Sequence, residues 1–176
     1  MKSIFTELKI DNSLMASENN NLSSYNKKNL PLGKPFNVGI VVSSWNADVT
    51  SGLLNGAKKT LLDLGVINSN IILLDVPGSF ELIYGAKILS KRDVDVIICL
   101  GSVIKGETKH FDYVCSAVSL GIKDLNVKLD IPVIFGVLTD NNLEQALNRS
   151  GGKFGNKGVE SAVTAIIMAD LNQKNK

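Results

Sequence analysis

From residue 36 onward the apolar positions of this chain switch repeatedly between the unbroken runs of a buried strand and the one-sided recurrence of an amphipathic helix. Phe36 to Ser43 is a β-branched run that predicts a strand. Val49, Leu53, Leu54, Ala57 and Leu61 then recur at helical spacing until Gly65, a natural C-terminal stop. The alternation continues with strands over Asn70 to Val76, Val94 to Leu100 and Pro132 to Leu138, and helices over Ser79 to Ser90 and about Lys109 to Leu125. Two further helices are predicted. Leu143 to Arg149 is capped by Asn141 with Glu144 three positions on, and Val159 to Leu171 carries Val159, Ala162, Val163, Ile166 and Ile167 on one face.

Continuous apolar strands, each followed by a helix, imply a parallel sheet covered on both faces. The expected architecture is α/β: a three-layer α/β/α sandwich around a four-stranded parallel sheet, flavodoxin-like in plan. Residues 1–33 differ in kind, being rich in Asn, Ser and Lys and including Asn19-Asn20-Asn21. They read as a disordered or loosely docked N-terminal extension ahead of one domain over 34–176, with Ile4, Phe5 and Leu8 as a candidate docking patch.

Composition narrows the classes. A chain of 176 residues that is 44% hydrophobic supports one well-buried core. Nineteen basic against 17 acidic residues leave a net charge of +2 with the basic residues scattered, which argues against nucleic acid. The apolar runs are far shorter than a membrane span, and the N-terminus lacks the pattern of an export or import sequence. Cys99 and Cys115 have no metal or redox spacing and read as small apolar residues, so the expected compartment is cytoplasmic.

Ligands of parallel α/β sheets bind beyond the carboxyl ends of the strands, so the four strand-to-helix turns hold the candidate chemistry. The first, Ser43 to Asp48, contains the single tryptophan, Trp45, whose ring either stacks on a planar heterocycle or covers a hydrophobic edge or subunit contact. Asn46 and Asp48 fit turn and cap roles. In the second, Ser79 and Glu81 follow the Pro77-Gly78 bend, where they either meet a ligand or simply favour a helix start. The third, Gly101 to Phe111, carries the single histidine, His110, beside the free N–H groups of a helix start. Gly106 permits close backbone approach, and the amides of Glu107 and Thr108 face an anion if the Glu107 carboxylate turns away. His110 is then a proton shuttle, or else a structural histidine. The fourth turn leads to the glycine-rich Arg149 to Gly158, which either wraps an anion with Arg149, Lys153 and Lys157 or is a flexible linker. It lacks the ending of a P-loop and the spacing of a dinucleotide fingerprint.

Taken together, Trp45-Asn46, Pro77-Gly78-Ser79-Phe80-Glu81, Leu100 through Val114, Pro132 through Thr139 and Gly155-Asn156-Lys157-Gly158 strongly resemble the lumazine synthase family, over about residues 36 to 171. The resemblance implies a transferase of riboflavin biosynthesis. Its reaction condenses 5-amino-6-(D-ribitylamino)uracil with 3,4-dihydroxy-2-butanone 4-phosphate to 6,7-dimethyl-8-ribityllumazine, the penultimate step, with no metal or cofactor. It further implies that Trp45 stacks on the pyrimidine and that Ser79, Phe80 and Glu81 contact the ribityl chain and pyrimidine. Ser102, Val103 and Ile104 would hold the pyrimidine edge through their backbone, Glu107 and Thr108 would form the phosphate turn, and His110 would transfer protons. Phe135 and Arg149 match an aromatic and a phosphate-binding cation that the family supplies from the neighbouring subunit, and Lys157 matches a site lysine. Three positions depart from the family pattern: Lys105 where arginine is frequent, Ser79 where alanine is frequent and Trp45 where phenylalanine is commoner.

The implied assembly is a homopentamer, which in some members builds an icosahedral shell of sixty subunits. Two other classes suit such a fold. A non-catalytic flavin- or lumazine-binding module needs no phosphate site, and a flavodoxin-like electron carrier needs a Ser/Thr-rich phosphate loop that this chain lacks.

Overall fold

In the computed structural model, which describes residues 23–176, all six residues of β1 (Val38–Ser43) are buried, because the strand lies inside a sheet covered on both faces. It pairs on one side with β2 (Ile71–Val76) and on the other with β3 (Val96–Ile104), and β4 (Val133–Asp140) follows β3. The order is β2-β1-β3-β4 and every pair is parallel. The α/β sandwich expected from the alternation is therefore present. The patch formed by Ile4, Phe5 and Leu8 lies outside the described residues.

Side chains alternate across the strands into two cores. On one face Val38, Ile40, Val96 and Ile98 meet α1 (Ala47–Asp63) and α5 (Lys157–Lys174) through Leu53, Leu61, Ala162 and Ile166. On the other, Val41, Ile97 and Cys99 meet α2 (Leu82–Leu89) and α3 (His110–Lys128) through Leu82, Ala86, Val118 and Ile122. Leu53 is fully buried, so truncating it to alanine costs about 2–5 kcal/mol. Burial also pushes the Cys99 thiol up to about 12, which leaves it unreactive at neutral pH.

Helix α1 stops where the sequence predicts. Gly65, at φ +97°, donates its N–H to the Leu62 carbonyl while Val66 donates to Leu61, so two otherwise free carbonyls are satisfied by a left-handed glycine.

Other boundaries differ from expectation. The strand predicted to end at Leu100 runs on to Ile104, because Gly101, Ser102, Val103 and Ile104 pair with Val137 to Asp140 of β4. Gly101 interrupts the apolar run for a packing reason, since a Cβ there would lie 2.6 Å from Ser79 Oγ. Ser79 to Glu81, predicted as helix, form a turn ahead of α2, with Glu81 N–H donating to the Gly78 carbonyl.

The cap of α4 (Leu143–Arg149) is Asn142 rather than Asn141. Its side chain accepts from the Gln145 N–H at 2.9 Å, while Gln145 Oε1 accepts from the Asn141 N–H at 2.9 Å. The glycine-rich segment is a small antiparallel hairpin of β5 (Ser150–Gly152) and β6 (Gly155–Asn156). Asn156 pins it by donating to the Gly52 and Ser150 carbonyls, at 2.9 and 2.8 Å, and by capping α5 through its Oδ1.

Residues 23–33 run across the outside of α1 into β1. The Ser23 hydroxyl donates to the Asn156 carbonyl at 3.1 Å and accepts from the Asn156 N–H. Tyr25 and Lys27 both donate to the Asp63 carboxylate, holding it below the ordinary aspartate range, while Tyr25 and Leu30 pack on the first core.

Candidate active site

The strand order reverses at β1, whose connections lead outward to β2 and then back across to β3, and a crevice opens beyond the carboxyl ends at that point. A cavity of about 550 Å³ lies there. Trp45, Asn46, Ser79, Phe80, Glu81, Ser102, Val103, Ile104 and His110 line it, as do Tyr113, Val114 and Ala117. Nine of the positions singled out from the sequence are thus brought together by two turns, the end of β3 and one helix start.

Trp45 is 66% exposed, and its benzo ring lies on Gly78, where a Cβ would come within 2.5 Å of it. The indole is therefore seated on bare backbone, with its other surface open. Glu81 is partly buried, and its Oε2 accepts from the Gly78 N–H at 3.0 Å, so one oxygen holds the Pro77-Gly78 bend beneath the indole. Ser79 is buried and its Oγ donates to the Ser102 carbonyl at 3.4 Å. Asn46 Nδ2 donates to that same carbonyl at 3.0 Å. The Ser102 hydroxyl is buried without a partner, so this residue has its carbonyl committed and its side chain unsatisfied.

His110 is the first residue of α3 and is exposed. Its N–H donates to Thr108 Oγ1 at 3.4 Å, which ties the helix start to the preceding turn. Glu107 and Thr108 are exposed in that turn, and a Cβ at Gly106 would meet nothing within 4 Å, so space for a ligand remains over the backbone. Tyr113, Val114 and Ala117 were not singled out from the sequence. They sit three, four and seven positions after His110, so the helical period that placed His110 at a helix start also carries the signal for them.

Phe135, Arg149 and Lys157 do not line this cavity. Phe135 lies on β4, which pairs only with β3 among the described strands, and it is 38% exposed. With Lys157 and Glu160 it lines a separate groove of about 360 Å³. Lys157 Nζ donates to Glu160 Oε2 at 2.7 Å, Arg149 lies 3.2 Å from Glu160 Oε1, and Arg149 NH1 donates to the Phe154 carbonyl at 3.1 Å. Glu160 escaped the sequence reading, although its place one turn after Lys157 on α5 made the pairing legible. Asp140 ends β4 with Oδ2 buried and unpartnered. Burial raises its carboxyl above the ordinary range, and the charge of Arg149 offsets part of that rise.

Among the described residues no three or more His, Cys, Asp or Glu side chains gather as a metal site would require, and no helix is long and apolar enough to cross a membrane. A parallel α/β sheet with an aromatic-lined cavity at its switch point defines a small-molecule site of the α/β class. The family model described as 6,7-dimethyl-8-ribityllumazine synthase matches residues 35–173, and the chain belongs to that family. A protein of that name from Flavobacterium johnsoniae is 58% identical over 161 residues, covering 91% of this chain and 85% of its own length. Its namesake from Christiangramia forsetii is 56% identical over 164 residues, covering 92% and 98%.

Proposed function

We propose that this chain condenses 5-amino-6-(D-ribitylamino)uracil with 3,4-dihydroxy-2-butanone 4-phosphate to 6,7-dimethyl-8-ribityllumazine, releasing phosphate and two molecules of water. The observation that carries the reading is the convergence of Trp45, Glu81 and His110 on one cavity in a chain whose relatives bear that name. The Trp45 ring stacks on the pyrimidine, while Ser79, Phe80 and Glu81 hold its ribityl chain. With the Ser102 carbonyl already accepting from Asn46 and Ser79, the pyrimidine edge uses the remaining backbone groups of Ser102, Val103 and Ile104.

Glu107 and Thr108 offer N–H groups to the phosphate at the front of α3, where the helix dipole favours negative charge. The 5-amino group attacks the ketone and one water leaves as the imine forms. Loss of a proton then drives out phosphate, and closure of the second nitrogen onto the remaining carbonyl expels the second water. His110 moves the protons of these steps, and holding both reactants together supplies much of the rate.

Phe135, Arg149 and Lys157 complete the cavity of a second copy of the chain. The support is their place beside the edge of β4 that no other described strand pairs with, away from the cavity of their own chain. The self-association is a ring of five, with a closed shell of sixty as its larger form. Tyr113, Leu120 and Val127, which are 70%, 58% and 77% exposed along α3, supply a further apolar surface for it. The domain spans 34–176, with 1–33 as an extension to it, and the enzyme works in the cytoplasm without metal or cofactor.

Mixing the purified protein with both substrates tests the reaction. Growth of lumazine fluorescence together with released phosphate is expected, and neither appearing refutes the reading. Light scattering on the same sample gives the assembly, and a monomer would overturn the shared site.

A further inference from the structure

Asn46 is the one non-glycine residue with positive φ among the described residues, at φ 59° and ψ 47°. L side chains rarely adopt that conformation, and asparagine tolerates it better than most. Its carbonyl accepts from the Val49 and Thr50 N–H groups, so the left-handed turn starts α1. Its side chain does not cap that helix. Instead Nδ2 crosses to β3 and donates to the Ser102 carbonyl at 3.0 Å, where Ser79 Oγ also donates from the second turn. One carbonyl thereby gathers the turn after β1, the turn after β2 and the end of β3. Trp45 directly precedes Asn46, donates its N–H to the Pro77 carbonyl at 3.0 Å and rests its ring on Gly78. With 66% of its surface exposed, little else fixes the indole.

We propose that Asn46 is a positioning residue for the aromatic platform: its side-chain bond to Ser102 fixes the left-handed turn that holds the Trp45 ring flat over Gly78. The platform's use for a planar heterocycle rests on the functional reading above, whereas the ordering of Trp45 by Asn46 does not. The bond ties an exposed rim to β3 at Ser102, a buried position, so the ring arrives already oriented when a ligand enters.

Trp45 is the single tryptophan of the chain, so its fluorescence reports the platform directly. Asn46→Gly keeps the left-handed backbone but removes the bond, and Asn46→Asp keeps the shape while setting an acceptor against the Ser102 carbonyl. Both should lower Trp45 fluorescence anisotropy without ligand, with the assembly size unchanged. Both should raise KM for the ribityl pyrimidine about three- to ten-fold, the range of one lost hydrogen bond, and leave KM for the phosphate-bearing substrate as it was. Wild-type anisotropy and KM in Asn46→Gly would overturn the proposal, as would an equal rise in KM for both substrates. If the wild-type chain makes no lumazine the functional reading fails, and the anisotropy comparison still decides the role of Asn46.

Discussion

Around the cavity, Trp45, Phe80, His110 and Tyr113 stand exposed, whereas on the β4 side of the sheet Arg149 and Lys157 converge on a Glu160 side chain that is only 16% exposed. The first region is a receptacle of aromatic surface and a titratable ring. The second is a charge cluster whose cations are already oriented by a carboxylate and by the Phe154 carbonyl. An incoming phosphate gains most from guanidinium groups fixed in advance, because little side-chain entropy is then lost on binding. Under the proposed function the two regions do separate tasks, the cavity holding the reacting atoms and the β4 flank presenting charge to an anion in the cavity of a second copy.

The sharpest attack on the cavity is His110→Ala. It should lower kcat about 100-fold while leaving both KM values near wild type, as expected for loss of a proton-transfer group, and an unchanged kcat removes His110 from the chemistry. Next is Arg149→Ala, which should raise KM for the phosphate-bearing substrate about 30-fold, since hydrogen bonds to charged groups carry about 2 kcal/mol. Co-assembly of these two variants tests the division of labour. In a head-to-tail ring of randomly mixed copies about a quarter of the shared sites regain both residues, so with the phosphate-bearing substrate well below its KM activity should rise to about that fraction of wild type, above either variant alone. No recovery in a mixed assembly would place Arg149 in the cavity of its own chain.

A smaller effect is expected from Gly78→Ala, whose methyl group would meet the Trp45 ring and lift it. KM for the ribityl pyrimidine should rise about five-fold, in keeping with the worth of an aromatic stacking contact, and steady-state kinetics on that substrate checks it.

The smallest concerns Asp140. A carboxyl raised by burial holds its proton more tightly in the folded chain, so its favourable contribution is full below the ordinary aspartate value of about 3.9 and is lost as pH rises through the raised value. Asp140→Asn should therefore raise Tm at pH 7 by about 2 °C, with the gain shrinking toward pH 4. Thermal melts across that range check the slope, and a gain that grows on acidification would contradict the assignment.

Much of this organisation was legible in the sequence because burial imposes period. The runs Phe36 to Ser43 and Val94 to Leu100 could only be interior strands, and Gly65 could only follow a helix. What stayed hidden depended on partners distant in the chain. Gly101-Ser102 looks like a loop until β4 pairs with it, and Ser150 to Asn156 looks like a linker until Asn156 reaches Gly52. Adjacent asparagines at 141 and 142 offered two caps, and only the reach to Gln145 selects one. The cavity residues were readable because three of the turns lie at one end of the sheet by topology. The engagement of Arg149 with Glu160 was not, because it joins α4 to α5 across the hairpin.

The segment before β1 has a practical consequence. The family match starts at residue 35, so a worker trimming the gene to that boundary would discard Tyr25, Lys27 and Leu30. Such a shortened product would bare oily surface on the flank of α1 and leave Asn156 without its serine clasp. Poor yield from it would report on the missing strap and not on the catalytic half of the molecule.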